Sequence, residues 1–161
     1  MLNAATQSEA RILVVDDKEQ MRLVRQKFLA AEGYQVETAA SAAEALAMLH
    51  TQRFDLVLSD IKMPGMDGVE LLDRVRAQDA TNNQANDHEA INGMTIVILM
   101  TAFGSIEAAV EAIKHGAADY ISKPFEMDEA LLRIKRALKE RNLQRRVADL
   151  EQQVHLHEAT R

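Results

Sequence analysis

The sequence predicts an α/β fold in which a parallel β-sheet is covered by helices on both faces. Three observations predict it. Strand-length apolar runs alternate with helix-period segments five times along the chain. The runs at 11–15, 54–59 and 95–100 are continuously apolar rather than alternating, as befits strands buried on both sides. Each run then ends abruptly in a carboxylate or a hydroxyl: Asp16-Asp17, Asp60 and Thr101. Right-handed connections turn such a chain into a three-layer sandwich.

The elements follow in order. Arg11 to Val15 is the first strand. Residues 19–31 place Met21, Val24, Phe28 and Ala31 at helical spacing, and Gly33 supplies a stop. Tyr34 to Thr38 alternates as a strand. Ser41 and Glu44 form the pattern of a capping box, opening a helix to about Leu49. Phe54 to Ser59 is the third strand and Gly68 to Ala77 the helix after it. Residues 78–93 are polar, rich in Asn and Asp, and read as an unusually long loop at the N-terminal edge of the sheet. Thr95 to Met100 is the most apolar strand. Ser105 can cap a helix that Gly116 ends. Ala118 to Ser122 is the fifth strand, and from Glu126 the pattern is helical almost to the C-terminus.

Composition narrows the function. With 161 residues the chain can bury one core but has no room for a second catalytic domain. Hydrophobic residues make up 47% and charged residues 27%, the balance of a folded soluble domain. The absence of cysteine excludes disulfides, zinc–thiolate sites and thiol nucleophiles. A net charge of −6 argues against a surface that coats nucleic acid or an anionic membrane. No apolar run can span a bilayer, and the N-terminus lacks the basic and apolar regions of a signal peptide, so a cytoplasmic protein is expected.

The chemistry lies at the strand ends. In open α/β sheets, ligands bind beyond the carboxyl ends of the strands. Asp16 and Asp17 end the first strand, Asp60 the third, Thr101 the fourth, and Lys123 follows the fifth. If the first and third strands are neighbours, three carboxylates converge, and their repulsion calls for a cation. Oxygen donors without histidine or cysteine favour Mg²⁺ or another hard divalent ion. A metal, a lysine and a hydroxyl around a carboxylate suit phosphoryl transfer, with the carboxylate as nucleophile. Each piece alone has a plainer meaning: an Asp-Asp pair after a strand is usually a solvated turn, and Lys-Pro is usually just a turn. Their joint placement at successive strand ends carries the signal.

Together, Val-Val-Asp16-Asp17, the run from Asp60 through Pro64 to Asp67-Gly68, Met-Thr101-Ala102 and Lys123-Pro124-Phe125 resemble the receiver domain of two-component response regulators. The resemblance covers roughly Arg11 to Leu138. Within the family, the stretch from Met100 to Phe125 is most like receivers of sigma-54-dependent, enhancer-binding activators. It implies a flavodoxin-like, doubly wound, five-stranded parallel sheet in the order 2-1-3-4-5. It implies that Asp60 is the phosphoacceptor for a sensor histidine kinase. Asp17, Asp60 and the backbone carbonyl of Lys62 would hold Mg²⁺, with Asp16 acting largely through water. Lys123 and Thr101 would contact the phosphoryl oxygens. Thr101 and Tyr120 would form the switch, and the Lys123–Pro124 bond would be cis. Lys62 and Phe103 flank the acceptor and would obstruct attacking water.

This divides the chain into an N-terminal tail (1–10), a receiver (11–138) and a helical extension (139–161). The extension carries Leu143, Val147, Leu150 and Val154 at heptad spacing, with His157 continuing weakly, a candidate coiled-coil linker. A homodimer is expected through that seam, through the surface of helix 4, strand 5 and helix 5, or both. The surface would include Ile106, Ala109, Val110 and Ile113. A seam of this kind normally leads into another domain, which favours a chain cut from a longer regulator over a complete single-domain one. Seven basic residues between Arg133 and Arg146 read as a solvated helix face rather than a nucleic-acid stripe. The five histidines show no ligand spacing with the acidic cluster. Two other functions compete: a metal-dependent phosphohydrolase with an aspartyl nucleophile, and a receiver-like binding module that takes no phosphate.

Overall fold

The computed structural model describes residues 10–82, 94–101 and 106–159; of these, side-chain surroundings are described up to residue 154, with Asn82 excepted. Five strands, β1 (Arg11–Val15), β2 (Gln35–Ala39), β3 (Leu56–Asp60), β4 (Ile96–Thr101) and β5 (Asp119–Ser122), alternate with five helices. These are α1 (Glu19–Ala31), α2 (Ala42–Thr51), α3 (Gly68–Asn82), α4 (Ile106–Lys114) and α5 (Met127–Ala159). All strand pairings are parallel and the sheet order is β2-β1-β3-β4-β5. This is the fold predicted.

The continuous apolar strands feed two cores, one on each face, because alternate side chains point to opposite sides. Leu13, Val15, Val57, Val97 and Leu99 pack with Ala42 and Ala45 of α2, Leu71, Leu72 and Val75 of α3 and Ala112 of α4. Ile12, Val14, Leu56, Leu58, Ile98 and Met100 pack with Leu29 of α1 and Ala130, Ile134 and Leu138 of α5. The register sets Val15 opposite Ser59 and Asp60 opposite Met100, so β1, β3 and β4 finish at one edge.

Local chemistry sets the element boundaries. Gly33 ends α1 with φ +101°, which favours glycine. Ser41 Oγ accepts from the Glu44 N–H, and Glu44 Oε2 accepts from the Ala40 N–H, completing a capping arrangement around α2.

The structure changes four expectations. Helix α1 buries Arg25 and Leu29, whereas Met21 and Val24 are exposed, so its buried stripe lies one residue beyond the apolar one. The cause is an ion pair between Arg25 and Asp16, described below. Helix α3 continues to Asn82, so the first five residues of the segment 78–93 are helical. Arg76 pairs with Asp79 at 3.1 Å, and Asp79 accepts the Thr95 N–H at 3.0 Å, tying this last turn to the start of β4. Residues 83–93 lie outside the described residues, as do Phe103 and Ser105. Ala109 is buried rather than on the α4 surface. Finally, the basic stretch of α5 is not wholly solvated. Arg141 is buried and donates to Asp55 Oδ1 at 2.6 Å and to the Asp55 carbonyl at 3.1 Å. Arg133 pairs with Asp119 at 2.9 Å.

The Arg141–Asp55 pair fastens α5 to the N-terminal edge of β3 just where the helix leaves the core. Leu143, Val147, Leu150 and Val154 follow, all about half exposed. No helix among the described residues is long and apolar enough to cross a membrane.

Ile134 is fully buried against the sheet, and Leu150 touches no core cluster. Ile134→Ala is therefore expected to lose about 2–5 kcal/mol of stability in urea denaturation. Leu150→Ala should leave the unfolding of the monomer unchanged to within about 0.5 kcal/mol.

Candidate functional site

Because β1 and β3 are neighbours, their C-terminal ends bring Asp16, Asp17 and Asp60 together, with carboxylate oxygens within 4.8 Å of one another. Asp16 is fully buried, Asp60 is 5% exposed and Asp17 is open to solvent. Lys123, in the turn after β5, donates to Asp60 Oδ2 at 2.7 Å. Thr101 is buried at the end of β4, and its hydroxyl donates to the Ile121 carbonyl at 3.4 Å. Tyr120 stands on β5, 37% exposed. The structure thus brings together Asp16, Asp17, Asp60 and Lys123. It leaves the Thr101 hydroxyl turned towards β5 and Lys62 exposed in the loop towards α3. The Lys123–Pro124 bond is cis.

The sequence reading misses one residue of this site and the role of another. The first is Arg25. Its guanidinium donates to Asp16 Oδ2, and its carbon lies 5.6 Å from the centre of the Phe125 ring. Asp16 Oδ1 accepts the Lys18 N–H at 2.9 Å, and Arg22 donates to the Asp16 carbonyl at 2.8 Å. The available signal is an arginine one helical turn before Leu29, on the same face of the helix. The second is Gly68. A Cβ there would lie 2.4 Å from the Asp60 carbonyl oxygen and 2.8 Å from Ile61 Cα. The Gly68 N–H donates to the Ile61 carbonyl at 2.8 Å, so α3 starts directly against the backbone that carries Asp60. Asp67 caps that start, its Oδ1 accepting the Glu70 N–H at 2.9 Å.

Burial pushes the Asp60 carboxyl above the usual carboxylate range. The Lys123 hydrogen bond and charge work against this, and the neighbouring Asp16 adds to it. The donor set fits a hard divalent cation. It offers clustered carboxylate oxygens, one of them exposed for entry, and two cations against three negative charges.

Residues 12–135 match the family model of the response regulator receiver domain. The chain belongs to the response-regulator receiver family. The chain is 37% identical over 149 residues to the regulatory protein AtoC of Escherichia coli K12, covering 92% of this chain and 28% of that protein. It is 39% identical over 127 residues to the DNA-binding transcriptional regulator NtrC of the same organism, covering 79% of this chain and 24% of that protein. The chain therefore spans about a quarter of the length of these relatives. Among solved structures, NtrX from Brucella abortus superposes with a TM-score of 0.72 at 36% identity, over 88% of this chain and 30% of that one. The chemotaxis protein CheY4 of Vibrio cholerae gives 0.68 at 34%, over 80% of this chain and 98% of that one. The relatives agree with the resemblance to receivers of sigma-54-dependent activators.

The raised Asp60 carboxyl has a consequence for stability. The folded receiver binds a proton at Asp60 at a pH where the unfolded chain has already lost it. Stability therefore falls as pH rises from the ordinary carboxylate value through the raised one, and the burial cost is complete above it. Asp60→Asn is expected to raise the denaturation midpoint of the metal-free receiver at neutral pH. The advantage should shrink on acidification, as urea titrations across pH will show. Gly68→Ala should cost about 1–3 kcal/mol by overpacking against fixed backbone, measured in the same titrations.

Proposed function

We propose that this receiver accepts a phosphoryl group on Asp60 from the phosphohistidine of a sensor kinase, in an Mg²⁺-dependent reaction in the cytoplasm, and so controls an output partner or domain. The observation that carries the reading is the buried Asp60 carboxylate, ion-paired with Lys123 and clustered with Asp16 and Asp17.

In the step itself, an Asp60 carboxylate oxygen attacks phosphorus, the P–N bond breaks, and the histidine nitrogen leaves with the electron pair and takes a proton. Asp17, Asp60 and the Lys62 carbonyl would hold Mg²⁺, with Asp16 acting through water. The ion would neutralise the charge gathering on the phosphoryl oxygens. Lys123 is already on Asp60 Oδ2 and moves to a phosphoryl oxygen, keeping its positive charge in the pocket. The product is a mixed anhydride that water can hydrolyse, so the protein is a self-resetting switch rather than an enzyme acting on a foreign substrate.

The switch is read from Thr101 and Tyr120. Phosphorylation adds about −1.5 to −2 charges and three acceptor oxygens. The Thr101 hydroxyl, now directed to the Ile121 carbonyl, turns to one of them, and Tyr120 turns inward into the space vacated. The exposed side chains Ile106, Val110, Ile113 and Tyr120 lie on the α4–β5–α5 surface, which supports a homodimer there. The half-exposed seam of α5 supports pairing along the helical extension. A phosphohydrolase of the haloacid-dehalogenase type is disfavoured, because Asp60 is followed by Ile61 and Lys62 rather than by a second aspartate two positions on. A phosphate-independent module is disfavoured because the acceptor, the lysine and the acidic pair all stand in place.

Incubation with a small-molecule phosphodonor and Mg²⁺ is expected to add one phosphoryl group by intact mass in the parent and none in Asp60→Asn. Sustained turnover of a foreign phosphomonoester would instead support the hydrolase. Asp17→Asn is expected to weaken Mg²⁺ by more than about tenfold, a loss above about 1.4 kcal/mol, in calorimetric titration. An unchanged titration would remove Asp17 from the ligand set.

A further inference from the structure

The unexplained group in the pocket is Arg25. It is 6% exposed and comes from the inner face of α1, a stripe that otherwise serves the apolar core through Leu29. Burying a guanidinium is costly unless it is paired, and this one is. Asp16, its partner, is fully buried, and both carboxylate oxygens are engaged, one by Arg25 and one by the Lys18 N–H. The guanidinium also faces the Phe125 ring, two residues beyond Lys123. It therefore bridges the two sides of the pocket: the acidic pair after β1 and the lysine turn after β5.

The charge balance gives this a function. Three carboxylates face two buried or half-buried cations, Lys123 on Asp60 and Arg25 on Asp16. One net negative charge is left, and Asp17, the exposed member, has no ion pair among the described residues. An incoming dication meets a pocket that is already largely neutralised.

We propose that Arg25 is a positioning residue that serves as the pocket's resident counter-cation. It holds Asp16 in place when no metal is bound. By standing beside the cation site, it also holds Mg²⁺ affinity below what the three carboxylates would otherwise give. The inference rests on the reading of this pocket as an Mg²⁺ site. Arg25 does not touch the phosphoryl group; it acts through Asp16.

The test is metal binding without any phosphodonor. Mg²⁺ is titrated calorimetrically into the full chain, with Mn²⁺ competition read by electron paramagnetic resonance. The parent is compared with Arg25→Gln, which can still donate to Asp16, with Arg25→Met, which keeps bulk without charge, and with Arg25→Lys. One fixed concentration of a stabilising osmolyte throughout keeps every variant folded. The neutral variants are expected to bind Mg²⁺ about tenfold more tightly, the effect of one neighbouring charge. Arg25→Lys should stay within about threefold of the parent, since it keeps the charge. Without osmolyte or metal, the neutral variants should unfold at lower urea and recover with Mg²⁺. A merely structural arginine would lower stability but leave Mg²⁺ affinity unchanged or weaker, and that result overturns the proposal. Parent protein that binds no Mg²⁺ would remove the metal site itself. Parent protein that binds, with unchanged affinity in both Arg25→Gln and Arg25→Met, would remove only the role of Arg25.

Discussion

The constraint on which the rest of the structure depends is electrostatic: carboxylates from Asp16, Asp17 and Asp60 lie within 4.8 Å of one another. Like charges at that separation, two of them out of solvent, destabilise the fold unless cations stand beside them. Arg25 and Lys123 supply those cations from α1 and from the turn after β5. The acidic edge is thereby tied to α1 through Arg25 and to the turn after β5 through Lys123. Burial raises the Asp60 carboxyl, with Asp16 adding to it, and the pocket holds one carboxylate more than its cations, a donor set that fits a hard dication.

The fold brings the charges together because the sheet is parallel and its centre is buried on both faces. β1, β3 and β4 end at one edge, and what each strand carries at its last residue or just beyond meets its neighbour there. Gly68 brings α3 against the Asp60 backbone at a distance no side chain allows. At the opposite edge, Asp55 opens the path into β3 and is gripped by Arg141 of α5. A single five-residue strand thus separates the Asp60 carboxylate from Asp55, where the long helix is anchored.

Much of this was legible in the sequence, for reasons that are themselves physical. Doubly buried strands need unbroken apolar runs, and strand-end polar residues mark the functional edge, so the sheet and the acidic cluster were readable. What escaped reading depended on pairs distant in the chain. The orientation of α1 follows from Arg25 meeting Asp16, and an apolar pattern of Met21, Val24 and Phe28 points one residue aside. Arg141 looked solvated because a basic run normally is; Asp55, 86 residues earlier, buries it. Asp79 and Thr95 extend α3 by a contact that spans the polar segment between them. Gly68 is legible as a helix start, but that no side chain fits there appears only when the Asp60 carbonyl is placed against it.

The central claim, that the paired and crowded Asp60 carboxylate is the group that takes the phosphoryl, is tested most directly by chemical trapping. The receiver is treated with phosphodonor and Mg²⁺, reduced with borohydride, and mapped by peptide mass spectrometry. An acyl phosphate at the acceptor is converted to homoserine. The account predicts homoserine at position 60 alone, and none when Mg²⁺ is withheld. Homoserine at position 16 or 17, or a phosphoryl group that survives on a histidine, would contradict it.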